Sequence, residues 1–177
     1  FSVWQKGYGR LDWSSKSAAV DPAESIYDLA SLTKVVALTT AAMILYDEGK
    51  LPLESRVVDY IPEFVGANKD RVTIKHLLSH RSGLPAGRQL WKTASTPAQA
   101  RAQVLETSLQ NAPGRVFNYS DLGPAVLGMV IERITGKTLD AFVTERVFFP
   151  LGMADTEYLP DASLKPRIAP TNATPPR

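Results

Sequence analysis

The apolar run VVALTTAAMIL, from Val35 to Leu45, constrains this chain more than any other feature. It is apolar at nearly every step rather than along one stripe. It therefore predicts a helix over 31–47, buried centrally and closed by Gly49. The run is too short to cross a bilayer. At its head stands Ser31-Leu32-Thr33-Lys34. On a helix, residues i and i+3 share a face, which puts a hydroxyl beside an amine. Serine is a weak nucleophile until a base takes its proton. A lysine serves as that base when burial penalises its charged form. Ser-x-x-Lys alone occurs on many helices, and its place at the head of an apolar helix gives it weight.

The bulk properties narrow the options. The chain has 177 residues, the length of one domain. A net charge of +2, with basic and acidic residues interspersed, argues against a nucleic-acid partner or an anionic membrane surface. There is no cysteine, hence no disulfide, thiol nucleophile or thiolate metal site. That leaves the redox compartment open.

Along the chain, 1–11 reads as a strand ending in a turn at Gly7 and Gly9. Short segments between Pro52 and Pro62 follow the apolar helix. Thr73 is placed to cap a short helix reaching His80. Thr96-Pro97 opens another, to about Leu109. Ser120 opens a helix that Gly136 closes, and Thr138 opens one that Pro150 ends. Residues 168–177 contain three prolines and no periodicity, so they read as a loop or a cut end. A strand with no clear partner and this ending lead to the expectation that 1–177 is an incomplete segment of a longer domain.

A second constellation is Phe117-Asn118-Tyr119-Ser120-Asp121. Tyr119 lies in the loop just before the helix that Ser120 caps. Its phenol can exchange a proton with Lys34 or a leaving group if a nearby cation lowers its pKa. His76 and His80 are four residues apart, but no Glu follows His76 in the zinc-protease pattern, and structural roles are expected for both. Gly83 is expected to meet a backbone need. Trp4, Trp13 and Trp91 read as packing residues, although Trp91 lies in a loop able to rim a cleft.

Four elements in order, DLASLTK at 28–34, HLLSHRSGL at 76–84, PGRVFNYSD at 113–121 and LGMADT at 151–156, resemble the serine beta-lactamase-related superfamily. Its nearest groups are class C beta-lactamases, DD-peptidases and related family VIII-type serine esterases. The resemblance runs over essentially the whole chain. It implies an α+β, beta-lactamase/transpeptidase-like fold, here the helical part plus a strand of the antiparallel sheet, with the C-terminal part of that sheet missing. It implies that Ser31 is the acylated nucleophile, with its backbone N–H in the oxyanion hole, and that Lys34 and Tyr119 transfer protons. Asp121 then faces the substrate, and Trp91, read from its loop position alone, is a further candidate to line the substrate cleft. Asp121 departs from the family's Tyr-x-Asn pattern. A carboxylate accepts from Lys34 but cannot donate to a substrate amide carbonyl, which favours an esterase or peptidase-like role over beta-lactam hydrolysis, with a penicillin-binding DD-peptidase, a beta-lactamase or a non-catalytic penicillin-binding-like protein as the alternatives. The resemblance calls for neither metal nor organic cofactor. The implied partners are a small ester or amide substrate and the missing C-terminal part of the same protein, with no nucleic acid and no membrane span. The family's C-terminal Lys-Thr-Gly-type motif has no match here, so the isolated segment is expected to be inactive. The compartment stays open between periplasmic or secreted, as for many members, and cytoplasmic.

Overall fold

A computed structural model describes residues 4–171. The apolar run forms one continuous helical stretch in three parts. A 3-10 turn spans Ala30–Leu32, a π-helix Lys34–Thr39, and helix α1 Thr40–Asp47. A wide π turn leaves carbonyls to be satisfied, and the threonines that interrupt the apolar run satisfy two of them. Thr39 Oγ1 donates to the Lys34 carbonyl at 2.8 Å, and Thr40 Oγ1 donates to Val35 at 3.1 Å. The C-terminus closes as expected. Gly49 sits at φ +70°, its N–H reaches Tyr46 O, and Lys50 N–H reaches Leu45 O, which together satisfy the last carbonyls.

Burial of this stretch is one-sided rather than central. Ala37, Leu38, Ala41, Ala42 and Leu45 enter the core, whereas Val35, Met43 and Tyr46 are more than half exposed. The small residues Ala37, Ala41 and Ala42 let one stripe approach its neighbours closely, and that stripe alone is covered. The helical stretch 30–47 is long and apolar enough to cross a membrane by length and composition, but a core helix passes the same test, so it is weak evidence of a span.

The most buried element is helix α6, Leu122–Thr135, whose Leu122, Val126, Leu127, Val130 and Ile131 are nearly inaccessible. Around it lie α2 (Val57–Tyr60), α3 (Ile74–Leu78), α5 (Pro97–Glu106) and α7 (Leu139–Val143), the last running into a π turn at Thr144–Phe148. The short helix α4 covers Leu90–Thr93. Thr73 caps α3 as expected, and His76 completes the box by accepting from Thr73 N–H at 3.2 Å. Thr96 caps α5 with proline in the first turn. Ser120 Oγ accepts from the N–H groups of Leu122 and Gly123, so it caps α6 from one residue further out than a regular N-cap. A buried lysine, Lys69, donates to the Leu105 carbonyl in the last turn of α5 and lies over the Phe64 ring. A cation there complements the helix dipole.

The α+β expectation does not hold for the described residues, which are essentially all helical and contain no strand or sheet. Pairing is limited to isolated bridges, Arg10 with Ala19, Ile26 with Ile168 and Arg56 with Thr73. The physical reason is that a strand is stabilised by a ladder of partners. Over 4–11, the described part of the expected strand, there is no ladder, only the single bridge at Arg10. Residues 1–3 of that segment and 172–177 of the expected C-terminal loop lie outside the described residues.

Candidate active site

The nucleophile candidate sits at a deliberate bend. Ala30, immediately before Ser31, has φ +44°, a left-handed conformation that a residue with a Cβ adopts only when its surroundings impose it. Asp28 supplies part of that constraint, since its carboxylate accepts Ala30 N–H at 2.8 Å. The bend presents Ser31 at the surface, one turn before Lys34. The sequence signal for this bend is Asp28, two residues ahead of Ala30.

Ser31, Lys34, Tyr119 and Asp121 meet. Lys34 Nζ donates to Ser31 Oγ at 3.2 Å and pairs with Asp121 Oδ1 at 2.7 Å. It also lies 5.1 Å from the Tyr119 ring centroid. The Tyr119 phenol is hydrogen-bonded to both Ser31 and Lys34. The electrostatics reverse one expectation. Burial opposes the charged lysine, but the hydrogen bonds and charges of Asp121 and Tyr119 outweigh it and hold Lys34 above its ordinary pKa. The phenol moves the other way. Its hydrogen bonds from Ser31 and then Lys34 hold Tyr119 below the usual tyrosine range. Lys34 is therefore a settled ammonium, and Tyr119 is the group made more acidic.

The loop carrying Tyr119 is tied to the loop at 80–86 by a series of bonds. Asn118 N–H donates to His80 O at 2.9 Å, and Asn118 Nδ2 donates to Leu84 O at 3.1 Å. Ser120 Oγ donates to Pro85 O at 2.6 Å, and Asp121 N–H donates to Ala86 O at 2.7 Å. Gly83, at φ +86°, lets this loop turn against Asn111, where an added Cβ would lie 2.1 Å from the carbonyl oxygen. The loop at 80–86 is thus the splint for Tyr119, a role its sequence did not disclose.

Trp91 lies on α4, three-quarters exposed, and no contact among the described residues joins it to Ser31, Lys34 or Tyr119. A groove of about 940 Å³ runs along another face of the same helical stretch, lined by Tyr27, Val36, Ala37, Phe148 and Tyr158. It does not include Ser31, Lys34 or Tyr119.

Comparison with known proteins places this arrangement. A family model described as Beta-lactamase matches residues 2–177. A candidate D-alanyl-D-alanine carboxypeptidase of Escherichia coli (strain K12) is 37% identical over 149 residues, covering 77% of this chain and 34% of its own length. A family VIII carboxylesterase crystal structure superposes with a TM-score of 0.79 at 29% identity, covering 92% of this chain and 45% of that one. A class C beta-lactamase superposes with a TM-score of 0.80 at 23% identity, a likeness of fold, covering 92% of this chain and 44% of that one. The chain spans about a third of the length of the first curated relatives it matches. With the family model matched over nearly its whole length, the chain belongs to the beta-lactamase family, within the superfamily that joins beta-lactamases, DD-peptidases and family VIII esterases.

Proposed function

We propose that Ser31 is the acylated nucleophile of a serine hydrolase that cleaves carboxylic esters. The observation that carries this reading is the convergence on Ser31 Oγ of Lys34 Nζ at 3.2 Å and the Tyr119 phenol. In its phenolate form, which its neighbours favour, Tyr119 takes the Ser31 proton as Oγ attacks the carbonyl carbon. Lys34 stays an ammonium and stabilises the phenolate and the developing charge. As the tetrahedral intermediate collapses, Tyr119 returns the proton to the leaving alkoxide. Water then hydrolyses the acyl-enzyme by the same proton path. Ser31 N–H supplies one oxyanion donor. Each oxyanion donor of this kind accounts for about 10²- to 10³-fold in kcat.

Asp121 favours the ester. It is two-thirds exposed beside the nucleophile, accepts hydrogen bonds only, and carries a negative charge. A DD-peptidase is the second reading, favoured by the name of the Escherichia coli relative. The intact natural protein, assayed with p-nitrophenyl butyrate and with nitrocefin, is expected to prefer the ester by about tenfold or more in kcat/KM. Faster turnover of nitrocefin would reject the ester reading.

A further inference from the structure

His80 holds four consecutive residues of the Tyr119 loop. Its carbonyl accepts Asn118 N–H at 2.9 Å, and its Nδ1 accepts Ser120 N–H at 3.1 Å. Its ring lies against Tyr119, with centroids 4.6 Å apart and planes tilted by 42°, and meets the edge of Phe117 at 6.1 Å. The backbone takes φ +55° to do this, a left-handed conformation for a residue with a Cβ. Such a conformation persists only where surrounding contacts over-determine it. The histidine therefore grips both flanks of Tyr119 and supports its ring from beneath. None of these contacts involves Ser31, so the role is one of placement.

We propose that His80 is a positioning residue of the hydrolase site, whose neutral imidazole, protonated on Nε2 alone, holds the Tyr119 phenol over Ser31 and Lys34. This rests on the Ser31 acyl-enzyme reading given above. The tautomer follows from the hydrogen bond. Nδ1 accepts from a backbone N–H, so it carries no proton, and the neutral ring has its proton on Nε2. An imidazolium has no acceptor, so a second proton breaks the bond to Ser120 and loosens the seat of Tyr119, while the bonds to the carbonyls of His80, Leu84, Pro85 and Ala86 still hold the loop. The groups facing the ring are Lys34, Asp121 and Tyr119. Arg81, next in sequence, turns its guanidinium toward Gly114 O. Burial and then the Lys34 charge hold His80 below its ordinary value of 6.5, against the pull of Asp121. The neutral, gripping form is thus the one present at neutral pH. It is lost as pH falls through that depressed value, giving activity an acid limb below 6.5.

The test combines imidazole nitrogen NMR on the intact natural protein with pH profiles of ester hydrolysis by His80→Asn and His80→Phe. Asn tolerates the left-handed backbone and offers an acceptor, while Phe keeps a ring and offers none. The expected NMR result is an Nε2–H tautomer. His80→Phe is expected to lower kcat/KM by about 100-fold, since a misplacement near 1 Å costs that much. His80→Asn is expected to recover at least about tenfold of that loss and to lose the acid limb. An Nδ1–H tautomer overturns the proposal whether or not either variant folds. So does an acid limb unchanged in His80→Asn, or equal losses in the two variants. If the natural protein fails to acylate Ser31 while showing the Nε2–H tautomer, the functional reading fails and the grip on the loop stands as structure alone.

Discussion

Ser31→Ala is expected to lower kcat/KM for ester hydrolysis by roughly 10⁴- to 10⁶-fold, the range lost when a hydrolase nucleophile is removed. Its stability is expected to change by less than about 0.5 kcal/mol, because the side chain removed is exposed and its polar contacts are open to solvent. The side chain is exposed at the end of a 3-10 turn, and its Oγ contacts are with Lys34 and Tyr119. The bend that presents it is held by Asp28 and Ala30, which the substitution leaves alone. Kinetics of the intact natural protein and its variant, read beside their urea denaturation curves, separate the two effects. A fall in rate below about tenfold would remove Ser31 from the chemistry. A matching fall in stability would make the loss one of folding.

Gly83→Ala is expected to damage the fold severely for so small a substitution. At φ +86° any residue with a Cβ is strained, by about 1–2 kcal/mol. The added carbon also collides with the Asn111 carbonyl oxygen at 2.1 Å, and both partners are backbone, so neither can rotate away. Gly83 O also accepts Gln110 N–H at 2.8 Å, which fixes the two segments against each other. The sum is expected to reach about 3 kcal/mol or more. Gly49→Ala is the control. It has a similar φ of +70° but open space around the Cβ position, so only the strain of about 1–2 kcal/mol applies. Equal destabilisation of the two variants in urea would show that the Asn111 contact relaxes freely. Because the loop at 80–86 also holds Tyr119, Gly83→Ala is expected to lose activity even where it remains folded.

Much of this architecture was legible because its determinants are local. Gly49 and Gly136 close helices in left-handed conformations, and Thr73 and Thr96 cap them, each as its position and neighbours imply. Ser31, Lys34 and Tyr119 were readable as candidates because their residue types and order carry the family resemblance. What the sequence hid was non-local. The 1–11 segment has strand-like residues, but a strand is defined by its partner, and among its described residues, 4–11, only an isolated bridge forms. The apolar run looked buried on all sides because composition does not reveal which face meets a neighbour. Lys34 was expected to lose its charge through burial in an apolar helix. Asp121, far away in sequence, reverses that by pairing with it at 2.7 Å. His80 read as a structural histidine because nothing in its own segment announces that residues 117–120 fold onto it.

The most direct test of the account is peptide mapping by mass spectrometry of the intact natural protein, quenched after brief exposure to p-nitrophenyl butyrate. The account predicts a butyryl adduct on the peptide carrying Ser31, lost on longer incubation and absent from Ser31→Ala. Ester hydrolysis accompanied by an acyl group on another residue, or by no acyl group under conditions where deacylation is slowed, would contradict it.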